Sequence, residues 1–171
     1  MESNLKFDFT VNEENNTVSV QREFPANLET VWDAWTKAGI LDEWWAPKPW
    51  RAQTKHFDFS EGGVWLYAMV GPENEKHWSK AKFEKIKEQR FLSWADAFCD
   101  EDGNENQTMP QSFWTIIFSE ENGNGMVDIT IQHESSADMN AQLKMGFKEG
   151  FTMGLGNLEE LLAERDPHFA A

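Results

Sequence analysis

The stretch Gly146–Leu162, GFKEGFTMGLGNLEELL, decides how this chain is put together. Its leucines, phenylalanines and closing Glu159-Glu160 pair have the composition of a helix. Yet glycine stands at 146, 150, 154 and 156, and an interior glycine costs about 1 kcal/mol relative to alanine. At about 100° per residue, Gly146, Gly150 and Gly154 form one stripe, with Leu143, Phe147, Phe151, Leu158 and Leu161 on or beside it. Lys148, Glu149, Thr152, Glu159 and Glu160 lie opposite, so the glycines face inward. A buried helix face stripped of side chains either admits another backbone at close range or leaves open volume beside it. The charged residues exclude a membrane span, which needs about 20 apolar residues.

Working outward, the helical period begins near Ala137 and predicts one long helix to about Glu164. Upstream, six segments carry the signals of successive strands: QTKHFDF, VWLYAMV, SKAKFEKI, FLSWADAF, SFWTIIF and MVDITIQH. Turn chemistry separates them, in SEGG, GPENE, KEQ, DEDGNEN and ENGNG. Connections this short cannot hold helical crossovers, so the six strands form an antiparallel meander. Nearer the N-terminus, LKFDFTV and TVSVQREF flank NEENN as a hairpin. Asn27 is placed to cap LETVWDAWTKA, where Leu28, Val31, Trp32 and Trp35 share a face. Gly39 is expected to end that helix, and ILDEWW to form a second short one before APKPW forces an extended exit.

Composition sets the outer limits. The 171 residues, 40% of them hydrophobic, suit a single domain across 1–171. One cysteine, Cys99, allows no internal disulfide, and MESNLKFDFT carries neither a basic region nor a long apolar run, so a cytoplasmic protein is expected. Fifteen basic residues against 30 acidic ones give a net charge of −15, which repels nucleic acid and anionic membrane surfaces and favours solubility. Nine tryptophans and thirteen phenylalanines beside one tyrosine supply enough aromatic surface for a densely packed core, a pocket wall or both.

The order of two small helices, an antiparallel meander and a long C-terminal helix resembles the helix-grip fold of the START-like (SRPBCC) superfamily, which includes polyketide cyclases and Bet v allergens. Within it, REFPANLETVWDAWT, LDEWWAPKPW, FDFSEGGVWLYAMVGPENEKHW, DAFCDEDGN and MGFKEGFTMGLGNLEELL resemble the activator of heat-shock-protein-90 ATPase homologues. These motifs run from about Arg22 to Leu162, in the family's order. The resemblance implies an α+β fold: a curved antiparallel sheet of six to seven strands wrapped around the C-terminal helix, with an additional N-terminal strand or hairpin. It also implies a cavity between sheet and helix that holds a hydrophobic small molecule in many relatives, which tips the glycine stripe toward open volume. In that geometry Trp65, Tyr67 and Met69 share the concave face of one strand. Trp45, His77, Trp78, Trp94, Trp114, Phe147, Gly150, Phe151 and Gly154 are the other candidates for the ligand wall.

Catalytic signals are sparse. The chain has no G-x-S-x-G, H-E-x-x-H, C-x-x-C or glycine-rich phosphate loop, so no catalytic residue, metal or cofactor is assigned. DEDGNEN imitates a calcium loop only in part: its glycine stands fourth rather than sixth, and Gln111 occupies the closing position. A hairpin turn at Asp102-Gly103 accounts for it. Of His56, His77, His133 and His168, His77 is placed to meet a ligand's polar end. Asp96, with Asp58 or Glu84, is a weaker candidate for a buried acid, because strand carboxylates mostly face water. Cys99 reads as a small buried hydrophobe.

Three functions compete. Binding of a hydrophobic or amphipathic small molecule needs only the aromatic wall, the glycine stripe and Tyr67 or His77 as a polar anchor. Stimulation of the heat-shock-protein-90 ATPase, a chaperone-related stress role, is what the family resemblance implies. The chain, however, corresponds only to the C-terminal module of the eukaryotic activator. A cyclase- or hydrolase-like enzyme would use the same cavity to fold its substrate.

Overall fold

A computed structural model describes residues 5–165. A hairpin of β1 (Phe7–Asn12) and β2 (Thr17–Glu23) is followed by α1 (Leu28–Thr36) and α2 (Ala38–Trp44). The meander follows as β3 (Arg51–Phe57), β4 (Val64–Val70), β5 (Lys76–Lys87), β6 (Phe91–Phe98), β7 (Ser112–Glu121) and β8 (Asn124–His133). Two helices close the chain, α3 (Ser136–Lys144) and α4 (Phe147–Arg165). All eight strands join one antiparallel sheet in the order β1-β2-β8-β7-β6-β5-β4-β3. The N-terminal hairpin thus extends the six-stranded meander by both of its strands. Register shifts at Thr54/His56 and Phe83/Lys85 mark bulges, which bend a sheet and increase its twist. The result is the helix-grip architecture, a curved sheet whose concave face takes the helices.

Local signals explain the elements. Asn27 accepts from Thr30 N at 2.8 Å and caps α1. Ser135 does the same for α3, accepting from Asp138 N at 3.0 Å. Gly39 does not terminate α1: that helix stops at Thr36, and Gly39 lies within α2. The extended Lys37 between them is what breaks the period. Asp42 ties α2 to the sheet, accepting from Thr54 N at 3.0 Å and Thr54 Oγ1 at 2.6 Å. Trp65 Nε1 in turn donates to Thr54 Oγ1 at 3.0 Å. At the far edge, Arg22 of β2 reaches Glu159 of α4 at 2.8 Å.

The expected single long helix is two helices. Gly146, with φ of +91°, closes α3 in a left-handed conformation that L residues rarely adopt. The glycine stripe then divides by role. A Cβ on Gly154 would stand 3.1 Å from Trp45 O and 3.3 Å from Trp44 O, so this glycine admits the end of α2 against α4. Asn157 Nδ2 donates to Ala46 O at 3.1 Å beside it. A Cβ on Gly150 would meet only Pro47 Cγ at 3.6 Å, and one on Gly156 would meet nothing within 4 Å. Gly154→Ala is therefore expected to destabilise the protein despite alanine's better helix propensity, because backbone carbonyls must retreat. Gly156→Ala should stabilise it by up to about 1 kcal/mol. Thermal melts of the two variants check this; equal shifts of the same sign would contradict the division.

The core lies between the concave sheet face and the helices. Its centre is aromatic: Trp35, Trp44, Trp65 and Trp94 are each almost wholly buried. Among the described residues no helix is long and apolar enough to cross a membrane.

Candidate functional site

A cavity of about 260 Å³ lies between the concave face of β4–β7 and the α3–α4 junction. The strands bring Tyr67, Met69, His77, Ser79, Asp96 and Trp114 to it by simple alternation, and cross-strand register aligns them. Tyr67 pairs with Ser79, Met69 with His77, Ala81 with Asp96, and Asp96 with Ser112. The helices contribute Trp45 and Pro47 from the end of α2, Gln142 and Met145 from the end of α3, and Phe147, Gly150 and Phe151 from α4. Exposed His77 and Met145 stand at the rim, while Trp45, Tyr67 and Trp114 are buried.

The wall is built of interlocked rings. Trp114 meets Phe151 edge-on at 5.3 Å and Phe147 at 6.0 Å. Phe147 and Phe151 stack at 5.4 Å, one helical turn apart. Trp45 packs between sheet and helix, 5.8 Å from Trp114 and 5.9 Å from Phe151. Its Nε1 donates to Tyr67 Oη at 3.0 Å. Burial above all, reinforced by the Asp96 charge, holds the Tyr67 phenol far above its ordinary range, so it stays protonated.

Of the twelve residues singled out in sequence, eight line this cavity: Trp45, Tyr67, Met69, His77, Trp114, Phe147, Gly150 and Phe151. Four do not. Trp65 is core, stacked on Tyr67 at 4.2 Å. Trp94 stacks behind Trp114 at 5.2 Å. Trp78 pairs with Ala68 and so projects from the opposite sheet face to His77, where Lys55 Nζ lies 5.8 Å from its ring. Gly154 is filled by the α2 backbone.

Asp96, the weaker candidate for a buried acid, lines the cavity. Period two places it on the same face as Trp94, two residues before it, and thus inside rather than in water. Desolvation pushes its carboxyl up to about 7, against weaker favourable contacts from Trp94 and the Ala97 backbone. The Trp94 indole N–H has no hydrogen bond of ordinary length. Neither proposed acid partner is near: Asp58 accepts from Ser60 Oγ at a surface turn, and Glu84 is exposed on β5. His133 lies two strands from Asp96 along one register row and is buried, with its pKa lowered by desolvation. His56 is exposed, and His168 lies outside the described residues. Cys99 is half-buried, and burial pushes its thiol up to about 11, which leaves it protonated. No group of three or more His, Cys, Asp or Glu able to hold a metal occurs among the described residues.

The family profile described as activator of Hsp90 ATPase homolog 1-like protein matches residues 25–163. The chain belongs to that family. A crystal structure of a Mycobacterium smegmatis protein superposes with a TM-score of 0.85 at 26% identity, covering 92% of this chain and 96% of that one. A solution structure from Arthrobacter aurescens gives 0.86 at 26%, covering 92% and 91%. A Silicibacter pomeroyi structure bearing the AHSA1 name gives 0.69 at 22%, covering 88% and 99%, a likeness of fold alone. No curated protein matches. The family's α+β helix-grip fold is a ligand-binding type of domain, and the cavity lies between the two parts that define it, sheet and C-terminal helix.

Proposed function

We propose that this member of the activator of Hsp90 ATPase homolog 1-like family binds a small hydrophobic or amphipathic molecule in the cavity between the sheet and α4. The observation that carries the reading is the cavity itself, walled by Trp114, Phe147 and Phe151, with Tyr67, Ser79 and Asp96 as the polar groups within. Most ligand sites combine such an apolar wall with a few placed polar groups. At about 260 Å³ the volume lies just below the roughly 300–1,000 Å³ of pockets for drug-sized molecules, which favours a ligand of one ring and a short chain. A cytoplasmic setting agrees with the single, unpaired Cys99.

Gly150→Leu tests this directly, since open space beside Gly150 lets a side chain enter the cavity with only Pro47 near its Cβ. The variant is expected to fold and to lose at least tenfold in affinity for apolar probes, read by quenching of the tryptophan fluorescence. Unchanged affinity in a folded variant would remove the cavity as the site. Two other roles are separable. Stimulation of a chaperone ATPase, which the family's description suggests, should survive Gly150→Leu and respond to reversals of surface charge. Catalysis is favoured by one observation, a half-buried, desolvated acid with its pKa near neutrality beside Tyr67, and should fall with Tyr67→Phe while binding persists.

A further inference from the structure

We propose that the cavity selects an amine, held as its ammonium against the Asp96 carboxylate with the faces of Tyr67, Trp114 and Phe147 around it; this rests on the cavity-binding reading above. The first ground is the charge of the lining. Among the described residues, Tyr67, His77 and Asp96 are its only titratable side chains, and neither lysine nor arginine lines it. A ligand carboxylate or phosphate would find no fixed cation there and would meet the Asp96 charge. A cation finds the reverse.

The second ground is that Asp96 lacks a counter-charge. No ion pair involves it among the described residues, and only Trp94 and the Ala97 backbone favour its charged form. Buried carboxylates are ordinarily paired with a cation or else protonated. Asp96, half-buried, faces an open cavity, where a ligand can supply the missing charge. Apart from His77 at the rim, the titratable groups that face it are neutral near pH 7. On β4 the Tyr67 phenol is held protonated, at the end of β6 the Cys99 thiol is pushed up to about 11, and on β8 burial lowers the His133 pKa. Ser79 on β5 and Ser112 on β7 carry no charge. Lys80 pairs instead with Glu105, at 3.1 Å. The α3–α4 junction presents only Gln142, Met145, Phe147 and Phe151.

The third ground is the wall. Ring faces attract a desolvated ammonium, and aromatic enclosures are a recurring means of binding amine and quaternary ammonium groups. The net charge of −15 adds long-range attraction for cations.

The test compares 2-phenylethylamine, 2-phenylethanol and 3-phenylpropanoate, close in size but cationic, neutral and anionic, by calorimetric titration of the intact protein. At pH 8 the amine is expected to bind at least tenfold more tightly than the alcohol, and the anion most weakly. Below pH 7 the amine's affinity should fall about tenfold per pH unit as Asp96 takes up a proton, with one proton released on binding near pH 6. The alcohol's affinity should stay level. In Asp96→Asn the preference for amine over alcohol should disappear. If the alcohol binds as well as the amine at pH 8, and Gly150→Leu blocks it, the cavity reading stands and the amine inference falls. An amine preference that persists in Asp96→Asn also overturns it. If none of the three probes binds, both fail together.

Discussion

Trp45→Ala is expected to lower stability by about 3–5 kcal/mol, which for a chain of this size shifts the melting temperature by on the order of 10 °C or more. Trp45 is 6% exposed and sits where the end of α2, the sheet and α4 converge. Its ring contacts Trp35 and Trp44 on the helical side, Trp65 and Trp94 on the sheet, and Phe151 on α4. Removing it leaves a cavity that three elements would have to close together. It also strips the donor from Tyr67 Oη. Trp78→Ala is the control, because that ring is half-buried on the other face of the sheet; its loss should cost about 1 kcal/mol. Denaturant titrations of both variants measure the contrast. Similar losses would mean that Trp45 does not hold the three elements together. Trp45→Phe should fall between them, which keeps the comparison usable if Trp45→Ala does not fold.

Alternation and turn chemistry make most of this fold legible in the sequence. The meander strands are bounded by recognisable turns, most of them alternate in polarity while β4 is apolar throughout, and connections this short favour antiparallel neighbours. The glycine stripe shows where sequence stops. Gly146, Gly150 and Gly154 recur at the same spacing, yet one needs a left-handed backbone, one borders a cavity and one receives two carbonyls. Spacing fixes the direction of a helical residue; what stands opposite it depends on chain far away, here Trp44 to Pro47. The break at Gly146 was hidden for the same reason, since a helix-closing glycine and a helix-facing glycine read alike.

The site was legible to the extent that strand parity determines it. Tyr67 and Met69 share a face, so both reach the cavity. Trp65 shares that face too, but sits farther along the strand in closed core, a distinction parity does not contain. His77 and Trp78 are adjacent and must point apart, so only one of them was available to the cavity. Asp96 was legible by this same rule. Trp94 two residues earlier is too large and apolar to face water readily, and a shared face follows. The general tendency of strand carboxylates to be solvated prevailed over the local parity, and at this position the tendency fails.

That failure has a measurable cost. Asp96→Asn is expected to stabilise the unliganded protein at pH 8 by roughly 2–4 kcal/mol, and to differ little from the parent near pH 4. The native carboxyl holds its proton up to about pH 7, whereas in the unfolded chain it releases it near the ordinary value of 3.8. Between those limits the unfolded state binds fewer protons, so the Asp96 contribution weakens the native state as pH rises and levels off above 7. Asparagine keeps the shape and an acceptor oxygen for the Ala97 N–H without the charge. Other titrating groups affect both proteins alike and cancel in the difference. Urea denaturation of the pair at pH 4.5, 6 and 8 should therefore open a gap that grows with pH; a gap of the same size at all three would mean that Asp96 is not a desolvated acid. A saturating amine should narrow the gap at pH 8, because a cation in the cavity stabilises the charged parent and offers the asparagine variant little. A residue that weakens the empty protein and strengthens the occupied one is retained for its ligand, and the two sets of denaturation curves would separate that role from packing.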